Sequence, residues 1–72
     1  MKIFSDYGCE IYERDGRFFI QYDSGESAGS SLLENEISIE EMEKAKLSET
    51  DAYEVILTAE KRSGSKKIAT KI

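Results

Sequence analysis

The chain has 72 residues, 39% of them hydrophobic, with four tyrosines and three phenylalanines, so it can hold one domain whose core only just offsets the entropy lost on folding. A single cysteine excludes an internal disulfide, the lack of histidine removes the usual general base and metal ligand, and no stretch approaches the roughly 20 apolar residues of a membrane span. The net charge of -5 is unevenly spread: residues 1–60 carry all 15 acids against five bases, whereas residues 61–72 carry five bases and no acid.

No basic flank followed by an apolar run marks a signal peptide, so Met1 reads as the native start. Lone Cys9 fits a reducing, cytoplasmic compartment. In chain order, Lys2-Ile3-Phe4-Ser5 reads as an extension of the first strand past a break at Gly8. Asp15-Gly16 is a pair suited to the two positive φ angles of a type I′ hairpin turn. With those two residues as the loop, Tyr12 faces Phe19, Ile11 faces Ile20 and Cys9 faces Tyr22. Cys9, Ile11, Phe18, Ile20 and Tyr22 then form the core face, and Tyr12 and Phe19 lie opposite among Glu10, Gln21, Arg14 and Arg17.

Asp23 to Ser31, rich in serine and glycine, reads as a mobile loop, after which Leu32-Leu33 can start a third strand. Ser38-Ile39-Glu40-Glu41 is a capping box with Ile37 and Met42 as its staple, predicting a helix from Ile39 to about Leu47. Ser48-Glu49-Thr50-Asp51 repeats that grammar and predicts a second helix, with Ala52, Val55, Ile56 and Ala59 on its apolar stripe and Ser63-Gly64-Ser65 as its stop. Lys66 to Ile72 alternates as an edge strand would, or forms a basic tail. The expected architecture is α+β: an antiparallel sheet of two to four strands with two consecutive helices on one face. The folded domain covers residues 1–62, with a basic tail or edge strand over 63–72.

Chemical motifs are sparse. Gly25-Glu26-Ser27-Ala28-Gly29 matches the esterase nucleophile elbow by letter, yet no histidine exists to activate Ser27. Cys9 sits mid-strand on the core face, which suits a small hydrophobe better than a nucleophile. Asp23, Glu26, Glu34 and Glu36 lack the spacing of a calcium loop, and no phosphate-binding glycine motif occurs, so neither metal nor cofactor is expected.

The sequence therefore points away from an enzyme and toward a protein-binding module, such as a small acidic inhibitor, antitoxin-like or immunity-like factor, whose partner is basic. Tyr12, Phe19, Arg14 and Arg17 on the second hairpin face are the candidate contacts, because aromatics and arginine are enriched in interfaces. The alternative is a nucleic-acid-associated regulator gripping phosphate with Lys61, Arg62, Lys66, Lys67 and Lys71, an approach the acidic body opposes. A homodimer would help so small a core, and no membrane partner is expected. Phe18 and Ile56 are expected in the core.

Overall fold

The computed structural model describes residues 1–23, 31–63 and 66–70, of which 31, 63 and 66–70 are described by backbone only. Strands β1 (Lys2–Asp6), β2 (Cys9–Arg14), β3 (Arg17–Asp23) and β4 (Ser31–Ile37) precede helices α1 (Ile39–Ala45) and α2 (Glu49–Ser63), and β5 (Lys66–Thr70) follows. The strands form one antiparallel sheet in the order β1-β2-β3-β4-β5. The α+β class with consecutive helices on one face is the one expected. Its five strands extend the two to four anticipated, since Lys66–Thr70 pairs with β4 at the sheet edge.

The Asp15-Gly16 turn forms with φ of 52° and 76°, and the β2–β3 register is the predicted one, from Cys9 opposite Tyr22 to Arg14 opposite Arg17. The N-terminal segment departs from expectation. It does not extend β2 but folds back on it through a second two-residue turn at Tyr7-Gly8, where both φ angles are again positive, 55° and 76°. Glycine takes that conformation readily, whereas tyrosine is strained there by about 1–2 kcal/mol, so Tyr7 hides the turn from a reading based on turn-forming residues. A bulge at Ile3 shifts the register between Lys2 and Phe4. Lys2 consequently lies opposite Tyr12 on the open face, while Phe4 lies opposite Ile11 on the core face.

The core lies between the sheet and the helices. Ile11, Ile20 and Val55 are its largest fully buried side chains, joined by Cys9, Tyr22, Ile37, Met42, Ala45, Ala52 and Ala59. Phe18 and Ile56 are only partly buried at its margin, because each stands near the end or the flank of its element. Asn35 faces this core opposite Ile20. Its amide donates to the Tyr22 hydroxyl at 3.0 Å, and that hydroxyl donates to Glu60 at 2.7 Å, so a short polar chain links β4, β3 and α2.

Both helix starts follow their side-chain chemistry. Ser38 Oγ accepts from the Glu41 N–H at 3.1 Å, and the Glu41 carboxylate accepts from the Ser38 N–H at 2.8 Å. Ser48 Oγ likewise accepts from the Asp51 N–H at 3.1 Å. The shorter Asp51 carboxylate instead takes the Ser48 hydroxyl proton at 2.9 Å. Helix α1 stops at Ala45, two residues before the expected Leu47, since those two residues turn the chain toward the second cap.

Gly16 has no neighbour near where a Cβ would stand, so its substitution tests backbone conformation alone. Gly16→Ala is expected to lower stability by about 1–2 kcal/mol, with Asp15→Asn within about 0.5 kcal/mol of the parent, as measured by urea denaturation.

Candidate functional site

Tyr12, Phe19, Arg14 and Arg17 share the face of the sheet turned away from the helices, as their period-two positions require. The Arg14 guanidinium lies over the Phe19 ring, 4.1 Å from its centroid, and donates to Glu34 at 2.6 Å. Gln21 donates to the same Glu34 oxygen at 2.9 Å, leaving this carboxylate 8% exposed although it sits on the open face. Arg17 flanks Phe19 at 5.8 Å and grips Glu36 with two donors, Nε at 2.9 Å and Nη2. Across the face, Glu10 accepts from Lys2 at 2.8 Å and from the Tyr12 hydroxyl at 2.9 Å.

These contacts come from register. Glu36 is opposite Phe19 and Glu34 is opposite Gln21, so β4 brings two carboxylates beside the arginines of the hairpin. Sequence reading weighed Glu34 and Glu36 only as acids flanking the loop and gave the strand starting at Leu32-Leu33 no end; the alternation of Leu33, Asn35 and Ile37 with them was the available signal. The face is balanced in charge, with Lys2, Arg14 and Arg17 each held by a glutamate. Tyr12 and Phe19 are half-buried by these neighbours, not by the helices.

The described residues of the nucleic-acid alternative fall on two elements. Lys61 and Arg62 close α2, the backbone of Lys66 and Lys67 belongs to β5, and Lys71 lies outside the described residues. Arg62 is engaged within the fold: it donates to both Glu41 oxygens, at 3.0 and 3.1 Å, and to the Glu36 carbonyl at 2.9 Å. One guanidinium thus joins the end of β4, the first turn of α1 and the last turn of α2.

Burial pushes the Glu41 carboxyl up, but Arg62 and the Ser38 N–H outweigh it and hold the group below its ordinary value of 4.5. Arg17 likewise lowers Glu36. On the core face, burial pushes the Cys9 thiol up, with Asp6 and Glu10 adding to the effect. Such a thiol is held protonated and away from reagents, opposite to an activated nucleophile. The Gly25–Gly29 motif and the serine-rich loop around it lie outside the described residues. Among the described residues no three His, Cys, Asp or Glu side chains converge on a metal-sized site, and no helix is long and apolar enough to cross a membrane.

With this geometry in view, no family model, curated protein or solved structure matches the chain.

Two outcomes follow from the shifted groups. A carboxyl whose folded value is depressed stabilises the fold above its unfolded value and ceases to do so as pH falls through the folded one. Thermal melts from neutral pH down to about pH 2 should therefore lose stability below 4.5, and Glu41→Gln should flatten that loss while lowering stability at neutral pH. Cys9 should resist iodoacetamide in the folded protein at neutral pH and react once urea unfolds it, as read by intact mass.

Proposed function

We propose that the chain is a non-catalytic module that captures a basic protein surface, in the manner of a small inhibitor, antitoxin or immunity factor. The observation that carries this reading is the distribution of ion pairs. All five bases of residues 1–60 are held by the chain's own carboxylates: Lys2 by Glu10, Arg14 by Glu34, Arg17 by Glu36, Lys44 by Glu54 and Lys46 by Glu43. Asp6, Glu40 and Glu49, by contrast, are exposed and make no ion pair among the described residues. The body thus presents an uncompensated negative field, which speeds encounter with a cationic partner and weakens as salt screens it.

The open sheet face is balanced in charge, so Arg14 and Arg17 serve here to hold Glu34 and Glu36. A buried, protonated Cys9 and the lack of any disulfide suit a reducing cytoplasm, and the reading needs neither metal nor cofactor. Gripping nucleic acid through the C-terminal bases has less support, because Arg62 is already occupied by Glu41.

The test is capture by the tagged protein from a nuclease-treated native lysate, washed at low and at high salt. One stoichiometric basic protein that survives nuclease and is released by salt is the expected result. Recovery of nuclease-sensitive material alone, abolished when Lys66, Lys67 and Lys71 are changed to Gln, would replace this reading with nucleic-acid binding. Substitution is preferable to truncation, since β5 is hydrogen-bonded into the sheet.

A further inference from the structure

Between the β1–β2 turn and the first turns of α2 lies an open cleft of about 350 Å³, lined by Tyr7, Glu49, Thr50, Tyr53 and Ile56. Its size suits a side chain and not a helix. The outer wall is not needed by the core, since Tyr53 is 61% exposed. Tyr7 forms the other wall from a strained left-handed conformation that asparagine or glycine would adopt more easily. Its ring is set against Phe4 at 5.7 Å and 44°, which steadies it at the cleft. Glu49 is exposed with no cation in ion-pair reach among the described residues, and no base lines the cleft.

Aromatic faces beside an unpaired carboxylate are the chemistry that recognises a guanidinium, which stacks on the ring and donates a fork of hydrogen bonds to the acid. The chain displays that arrangement internally, where Arg14 lies over Phe19 and donates to Glu34. We propose that the cleft receives an arginine side chain from a basic segment of the partner, with Glu49 as its carboxylate anchor and Tyr7 and Tyr53 as its aromatic walls. The inference rests on the reading of the chain as a binder of basic protein surface, and it places the contact on α2 and the β1–β2 turn instead of the open sheet face.

The experiment titrates ¹⁵N-labelled protein with end-blocked hexa-arginine and hexa-lysine peptides at low salt, following backbone amides by NMR. Expected are the largest shifts at Tyr7, Glu49 and Tyr53, tighter binding of the arginine peptide, and about a tenfold loss of affinity in both Tyr53→Ala and Tyr7→Asn. Tyr53 is exposed and asparagine suits the Tyr7 backbone, so retained spectral dispersion separates lost contact from lost fold. Shifts centred on Glu40 and Glu43, or equal affinity for the two peptides, would overturn the arginine cleft and leave the basic-partner reading standing. No binding of either peptide would overturn both. Shifts of the cleft amides on concentrating the protein alone would assign the cleft to a second copy and also overturn the proposal.

Discussion

The turn at Asp15-Gly16 fixes the register of β2 against β3, and that register decides which side chains meet the helices. Both residues hold positive φ, so the loop length is set at two, and a shift of one position would turn every side chain of a strand to the opposite face. Ile11 and Ile20, both fully buried, would then exchange places with Tyr12, Phe19 and the Glu10 carboxylate. Burying that carboxylate without its Lys2 and Tyr12 partners would cost more than the core could return. The turn is therefore supported by polar chemistry on one face as well as by apolar packing on the other.

The open face shows how a sheet in a small domain can leave one side uncovered. Phe19 is shielded by the flat guanidinium of Arg14, whose charge is answered by Glu34, and Arg17 repeats the arrangement with Glu36. The aromatic and arginine composition that suggests an interface in the sequence is also the composition that lets an exposed sheet face cover itself. Proximity of the four residues is thus real, while their charges are already engaged. Cross-strand partners on β4 distinguish the two cases, and those partners are visible only once the sheet is assembled.

Local chemistry made much of the fold legible. The type I′ hairpin, the Ser38–Glu41 capping box and the stripe from Ala52 to Ala59 are each written within a few adjacent residues, and each forms as read. What escaped depends on distant partners or on strain. The Tyr7-Gly8 turn carries tyrosine where turn chemistry favours asparagine, so its register came from pairing along β1, not from its own residues. The run Glu34-Asn35-Glu36 gives no local sign of how far the strand starting at Leu32-Leu33 extends, because Arg14, Arg17 and Gln21 satisfy the acids and Tyr22 the amide only across the sheet. The Tyr7–Tyr53 cleft was equally hidden, because its walls are 46 positions apart in a chain whose pairing could not be read locally.

Arg62 connects these levels. It closes α2 as a cation should at a helix C-terminus, yet its donors go to the Glu41 side chain and the Glu36 carbonyl, tying three elements where they converge. The first sixty residues meanwhile use every one of their bases in the same way, as a tie to a glutamate of the chain. A fold that pairs its part-exposed cations with its own carboxylates leaves other acids of residues 1–60, such as Glu40 and Glu49, to solvent as a consequence of how the domain holds together. Salt screens the exposed pairs such as Lys46 with Glu43 most, and acts less on Arg14 with Glu34, whose carboxylate is sheltered although its guanidinium is half exposed.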